Sequence, residues 1–324
     1  MWMEGSTSGV YRMWFQHMDI NRIPFYQYNT IIVGTGAAGL NAAVTLHKLG
    51  QKNIALITEG RYMGTSRNTG SDKQTYYKMT QCGSEPDSVR KMAKTLFEGG
   101  CVDGDIAMAE AAGSLRAFYH LVDIGVPFPF NKSGEYVGYK TDHDPLKRGI
   151  SAGPLTSKYM TECLERQAEE RGIPFFDGYQ AVRLLTEEKD GEKRAAGIIA
   201  LNKQKAASPD ERYAVFSAVN IIWATGGEAG MYQASVYPVS QTGGMGVLLE
   251  AGAVAKNLTE SQFGIASVKH RWNLSGTFQQ CLPRYLSAEQ DGSHEREFLN
   301  DYFDTPRQLL TAIFLKGYQW PFDP

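Results

Sequence analysis

The sequence predicts an α/β fold in which a doubly wound domain with a mainly parallel sheet spans residues 28–258. This domain carries a small β insertion and is followed over 259–324 by the start of an α+β domain. Three observations predict it. In the first, within residues 29–59, the apolar run Ile31-Ile32-Val33 leads straight into Gly34-Thr35-Gly36-Ala37-Ala38-Gly39, then a helical stretch, then a second apolar run. In the second, Asn220-Ile221-Ile222-Trp223 is another short apolar run, and it ends in Ala224-Thr225-Gly226-Gly227. Short runs of this kind suit strands buried on both faces. The third is the alternation of helical and strand periodicity between the two, the pattern of an α/β domain.

Residues 1–27 read as a poorly ordered lead-in, in which Met13 and Met18 are alternative starts. They lack the basic start and continuous apolar core of a secretory signal. After the first strand the glycines have separate tasks. Gly34 permits the tight strand-to-helix turn, Gly36 lets a pyrophosphate approach the backbone, and Gly39 lets the helix pack on the sheet. Ala37 and Ala38 then lie in the first helical turn, where N–H groups at the positive end of the helix can receive phosphate. Leu40, Ala43, Val44 and Leu46 follow helical spacing, and Gly50 is placed to cap the C-terminus. The second strand, Ile54-Ala55-Leu56-Ile57, ends near Glu59, twenty residues after Gly39. A carboxylate there can accept hydrogen bonds from the hydroxyls of an adenosine ribose. G-x-G-x-x-G alone is a weak signal, and an ordinary βαβ turn is the competing reading. The strand, helix, second strand and terminal acid in one unit favour a dinucleotide.

Residues 60–79 are rich in Gly, Ser, Thr and Asn and read as a loop too polar for a helix face. Leaving the second strand at its carboxyl end, this loop brings Thr65 and Ser66 towards a phosphate or a flavin ring, unless it is simply a solvated surface loop. Pro86-Asp87 starts a helix with Val89, Met92, Ala93, Leu96 and Phe97 on one face. A second helix over 103–123 has Leu115, Phe118, Tyr119 and Val122 as its inward stripe. The long irregular segment 126–154, with His143, Lys147 and Arg148, has the length of a functional connection that reaches a site. A helix over 155–171, a strand at Pro174-Phe175-Phe176, a hairpin of 182–186 and 197–201 around Asp190-Gly191, and a strand over 213–216 follow. At 220–227 the small residues Thr225, Gly226 and Gly227 again let the backbone touch a ligand. Paired with the first glycine turn, they favour FAD over NAD.

The bulk numbers exclude several classes. With 42% hydrophobic and 21% charged residues the chain is neither disordered nor fibrous, and a net charge of −2 with mixed signs leaves no footprint for nucleic acid. No apolar run has the length of a transmembrane segment. Four scattered cysteines without a C-x-x-C pair argue against zinc and iron–sulfur clusters and fit reduced thiols in a cytoplasmic protein. No metal is expected, and the sequons at Asn257 and Asn273 are then chance matches.

The order of these motifs, continued by Gln241-Thr242-Gly243-Gly244-Met245-Gly246, Ala251-Gly252-Ala253 and Glu260-Ser261-Gln262-Phe263, resembles the flavoprotein subunits of the fumarate reductase/succinate dehydrogenase family. That family includes L-aspartate oxidase and the alpha subunit of adenylylsulfate reductase. The resemblance covers roughly residues 28–300. It implies a Rossmann-like FAD-binding domain, a capping domain beginning near 259, and hydride transfer between flavin N5 and a small-molecule substrate, a carboxylate in several members. It also leaves open a flavin-binding subunit that passes electrons to a partner protein without a substrate of its own. Three departures stand out. Gly244 replaces the acid of the family's T-G-D-G. Gly264-Ile265-Ala266 replaces its H-P-T, which implies that fumarate and succinate are poor substrates, with His270 and Arg271 the nearest groups able to bind an anion. The chain also ends at Pro324 without the family's C-terminal segment, so a fragment is expected. Membrane-bound members attach the flavin through a histidine in S-H-T. The matching segment here is Thr65-Ser66-Arg67-Asn68-Thr69, so the FAD is expected to be non-covalent. No catalytic proton donor can be assigned.

Overall fold

The structure is a computed structural model. It describes residues 22–70, 74–100, 102–141, 144–227, 243–256 and 281–316, together with 237, 241, 258, 266–267, 272–273 and 279. In chain order its elements are β1 (Phe25–Val33), α1 (Ala37–Lys48), β2 (Ile54–Thr58), α2 (Thr65–Asn68), β3 (Tyr76–Tyr77), α3 (Val89–Glu98), α4 (Gly104–Asp123), β4 (Gly149–Ile150), α5 (Thr156–Glu170), β5 (Phe175–Asp177), β6 (Tyr179–Lys189), β7 (Glu192–Asn202), β8 (Tyr213–Trp223), α6 (Met245–Glu250), β9 (Ala266–Ser267), β10 (Trp272–Asn273) and α7 (Pro306–Lys316). They fall into two compact units. The first combines the chain up to residue 68 with 164–233 and 237–255. The second holds 69–163 and the chain from 256 onward.

The first unit is built on a six-stranded sheet of order β5-β2-β1-β8-β7-β6. β5, β2, β1 and β8 run parallel, and β6 and β7 add to them as an antiparallel hairpin. β1 lies in the interior of this order, which is why Ile31, Ile32 and Val33 are buried on both faces. Leu40, Ala43 and Val44 put the apolar stripe of α1 out of water, and Gly50 ends that helix with φ +100. A single residue, Gly178 at φ +82, separates β5 from β6. The two ends of the strand order therefore meet at that turn, and Tyr26, Phe176, Tyr179 and Phe216 pack ring against ring inside the fold, with centroids 4.7 to 5.9 Å apart.

Several expected boundaries move. β1 begins at Phe25, within the expected lead-in, because Phe25 to Tyr28 pair with Val215 to Ala218 of β8. The strands expected at 213–216 and 220–223 are one continuous strand, since Ser217 and Ala218 pair with Gln27 and Tyr28 of β1 and the register continues at Thr30 and Asn220, past the last β7 pair at Gly197 and Ser217. The hairpin around Asp190-Gly191 is longer on both arms, from Tyr179 to Asn202. A short piece of the polar loop is helical after all: Thr65–Asn68 makes one turn, closed by Asn68 N–H on the Gly64 carbonyl at 3.2 Å. Four residues need no apolar face to complete a turn.

In the second unit, Ser88 caps α3 by accepting from the Lys91 N–H, and Asp103 caps α4 by accepting from Asp105 and Ile106. The helix starts at Val89, two residues after Asp87, because Ser88 between them is extended and serves as its N-cap. The buried stripe of α4 is Ala107, Ala111, Ser114, Phe118 and Leu121. Leu115 and Val122 are only half-buried and Tyr119 is exposed, so the stripe is rotated by one position from the expected one; small alanines let α4 lie close to α3, with Met92 and Ala93 buried between them.

Arg148, which the sequence offered as a group for a site, is 1% exposed and fully committed. Its Nε and Nη2 bind both oxygens of Asp87 at 2.9 and 2.8 Å, and its Nη1 reaches Thr95, Tyr77 and Asp144 at 2.9, 3.2 and 3.3 Å. Tyr77 donates its phenol to Asp144. Burial by itself would push the Asp87 carboxyl up. The Arg148 guanidinium and the N–H groups of Thr80 and Ser88 outweigh that and lower its pKa. His143, beside this network in sequence, lies outside the described residues.

Removing one partner of a buried ion pair leaves the other charge uncompensated. Arg148→Met is therefore expected to cost roughly 3–5 kcal/mol of stability, read from urea unfolding. The Asp87 pKa is lower folded than unfolded, so its contribution is present above the ordinary carboxylate pKa and is lost as pH falls through the folded value. The Arg148→Met deficit should shrink on acidification; a deficit independent of pH would contradict the network.

Candidate functional site

The site is assembled at the carboxyl ends of β2, β1 and β8. Gly34 N–H donates to the Ile57 carbonyl at 2.8 Å, and Ala224 N–H donates to the Val33 carbonyl at 2.8 Å, so the three strand ends are locked by backbone alone. The glycines that follow divide by what surrounds them. Gly34 sits at φ +109, where a Cβ would run into the Ala224 carbonyl, and a Cβ on Gly39 would run into the Gly34 carbonyl. Both are glycine because the fold needs the room.

Gly36 is different. A Cβ there meets only the Ser66 hydroxyl, at 3.4 Å, so packing within the protein does not require its bareness. It is also the N-cap of α1 and supplies no side chain to the N–H groups of the first turn. Of those, Ala37 N–H donates to Ser66 Oγ at 3.3 Å, while Ala38 is exposed. An uncapped helix N-terminus behind a bare glycine fits an anionic ligand whose oxygens come within touching distance of the backbone. This chain therefore fits the pyrophosphate of a dinucleotide on its own geometry.

Thr65 and Ser66 lie over this turn. Ser66 meets Ala37, and Thr65 Oγ1 donates to the Gln241 side-chain oxygen. Gln241 in turn donates through Nε2 to the Gly227 carbonyl at 3.1 Å and the Thr225 carbonyl at 3.4 Å, lying across Gly226, whose φ is +81. Thr65 and Ser66 are thus brought together with Thr225, Gly226 and Gly227, and Gln241, named in the sequence only as the start of a motif, is the link between them. Its place in that motif says nothing of partners; only the folded chain puts it between two turns 176 and 14 residues away.

Glu59 follows β2 directly and accepts from Lys203 Nζ at 2.7 Å, leaving the carboxylate half-exposed. The segment after it is pinned by charge. Arg61 N–H donates to Asp177 at 2.9 Å, its guanidinium stacks 4.1 Å over Phe175, and it pairs with Glu165 and Glu169. Arg67 pairs with Glu165 as well. These ion pairs hold Thr65 and Ser66 in place over the glycine turn. Thr242, residues 260–265, His270 and Arg271 lie outside the described residues.

The sequence matches the FAD binding domain family over residues 29–283. Among curated proteins it is similar to the L-aspartate oxidase of Agrobacterium fabrum, 28% identical over 242 residues, which is 72% of this chain and 42% of that protein. It is also similar to the 8-methylmenaquinol:fumarate reductase flavoprotein subunit of Wolinella succinogenes, 27% identical over 271 residues, covering 82% of this chain and 42% of that one. The chain spans about half the length of the curated relatives it matches. Its fold is similar to the open conformation of a flavocytochrome c3 fumarate reductase, with TM-score 0.67 at 17% identity over 96% of this chain and 54% of that one. It is similar too to adenylylsulfate reductase from Archaeoglobus fulgidus, with TM-score 0.56 at 20% identity over 72% of this chain and 37% of that one. The matched stretch takes in the turn at 34–39, Thr65 and Ser66, and the turn at 225–227, and the chain belongs to the FAD binding domain family, with FAD as its cofactor.

Proposed function

We propose that this chain is the FAD-binding portion of an oxidoreductase acting on a small organic substrate, a carboxylate by the likeness to L-aspartate oxidase and fumarate reductase flavoproteins. The observation that carries this reading is Gly36, bare and uncapped at the strand ends, in a family defined by FAD. Bound flavin supplies hydride transfer at its N5. The chain's residues supply position: the first turn of α1 receives the pyrophosphate, Glu59 the adenosine ribose, and the Thr65–Gln241–Thr225 links hold the two turns around it. Lys203, paired with Glu59, either steps aside or shares that carboxylate with the ribose. Residues from 259 onward are read as the beginning of a capping domain over the substrate.

A second reading is a flavin subunit that passes electrons to a partner protein and has no substrate of its own; the likeness to a subunit of the Wolinella quinol-dependent reductase favours it. No helix among the described residues is long and apolar enough to cross a membrane, and the scattered cysteines are in keeping with a cytoplasmic setting. Turnover of a carboxylate with a soluble electron acceptor by the full-length protein separates the two readings, because an electron-transfer subunit would show none.

Gly36→Val places a branched side chain where the pyrophosphate meets the backbone, and the variant should purify without FAD while keeping its fold by circular dichroism. Retention of wild-type flavin content would refute the assignment of that turn. The FAD is non-covalent in this reading, since residues 63–69 contain hydroxyls but no histidine. Acid precipitation should leave the yellow colour in the supernatant; flavin fluorescence travelling with the protein on a denaturing gel is the contrary result. Fumarate and succinate, for which Gly264-Ile265-Ala266 offers no histidine, should be poor substrates of the full-length protein in steady-state assays, and efficient fumarate reduction by it would overturn this.

A further inference from the structure

Among the described residues the Glu59 side chain has one partner, Lys203, whose Nζ donates to Oε1 at 2.7 Å. A carboxylate has two oxygens with about four lone-pair directions, so one ammonium leaves Oε2 open to further donors. Lys203 is 41% and Glu59 29% exposed, within reach of a ligand from outside. What sets this pair apart from an ordinary surface ion pair is the backbone beneath it. Thr58 pairs with Asp177 where β2 and β5 end, and Gly178 follows Asp177. The Gly178 carbonyl accepts from the Lys203 N–H at 2.9 Å. The Asn202 side chain accepts from the Gln204 N–H and donates to the Tyr179 hydroxyl, both at 3.1 Å, which fixes the turn on which Lys203 stands. Lys203 then reaches back to the residue after Thr58, so chain, backbone pairing and one ion pair close a ring.

A glutamate left alone at this place would work against its ligand in two ways. Ordering its side chain at the moment of binding costs entropy, and its negative charge repels the pyrophosphate of the same molecule. Lys203 answers both before the ligand arrives, because it holds the carboxylate in one orientation and offsets its charge. We propose that Lys203 is a positioning residue for the adenosine half of FAD, staying on Glu59 Oε1 while the ribose hydroxyls donate to the oxygen left open. The inference rests on the FAD reading above and decides between the two courses open to Lys203: it shares the carboxylate and does not step aside. The residue comes from the end of β7, 144 positions from Glu59 and outside the βαβ unit that carries the glycine turn.

The test uses the protein stripped of flavin, titrated with FAD by flavin fluorescence and with ADP and 2′-deoxy-ADP by calorimetry. The unsubstituted protein should prefer ADP to 2′-deoxy-ADP, since the missing hydroxyl is a donor that Glu59 receives. Lys203→Met keeps an apolar stem and removes the charge. It should raise the Kd for FAD and for ADP alike by about twofold to fivefold, the size of a half-exposed ion pair, and narrow the preference for ADP over its 2′-deoxy form. Lys203→Arg, which keeps a cation on the carboxylate, should restore both. In a Glu59→Gln background Lys203→Met should change neither, because its effect runs through the carboxylate. A merely structural role would weaken ADP and 2′-deoxy-ADP by the same factor and leave the preference untouched, and that result overturns the inference. An FAD Kd that stays level or falls in Lys203→Met also overturns it, since Lys203 would then be idle or a competitor of the ribose. So does an unsubstituted protein that binds FAD without preferring ADP to its 2′-deoxy form. Failure of the unsubstituted protein to bind FAD at all overturns the cofactor reading, and the inference falls with it.

Discussion

Everything at the site depends on how closely three strand ends approach one another at Gly34. Its N–H is tied to β2 through Ile57, the residue before it is tied to β8 through Ala224, and the space where a side chain would stand is filled by the Ala224 carbonyl. A Cβ at 34 would have to push β1 and β8 apart by more than their hydrogen bonds tolerate. With the strands locked, Gly39 brings α1 down onto the Gly34 carbonyl, and the helix axis is aimed so that its N-terminus opens at Gly36. The opening proposed for the pyrophosphate is thus a consequence of backbone packing and not of any charged side chain placed there.

Charged side chains act further out, behind the backbone of the glycine turn. Arg61 and Arg67 are held by Glu165 and Glu169 and by stacking on Phe175, and this fixes a segment that has only one helical turn of its own. A short polar loop would otherwise sample many arrangements, and ordering it at the moment of ligand binding would cost affinity. Gln241 completes the frame by joining Thr65 to the turn at 225–227 through its amide, which donates at one end and accepts at the other. Polar side chains here serve mostly to hold the main chain in place.

In the second unit the same residue types are used differently. Arg148, Asp87, Asp144, Tyr77 and Thr95 make a closed network with every guanidinium nitrogen engaged. By sequence alone Arg148 was indistinguishable from a substrate-binding arginine, since both kinds sit in long irregular segments and both need acceptors. Burial and partners separate them. A group already holding two carboxylates inside the protein has little left for an anion from outside.

The α/β class, the first βαβ unit with its glycine turn, the buried strand ending at Ala224-Thr225-Gly226-Gly227 and the hairpin around Asp190-Gly191 are legible in the amino-acid order, because each rests on local periodicity or on a backbone conformation that few residues adopt, and the FAD family is legible in the order of the motifs. The tertiary structure alone decided that β8 is one strand pairing on both edges, that the stripe of α4 faces through its alanines, that Gln241 and Thr65 meet, and that Lys203 reaches Glu59. Those features join residues far apart in the chain. Such contacts depend on which surfaces the strand order brings face to face, and no local pattern of residues encodes that.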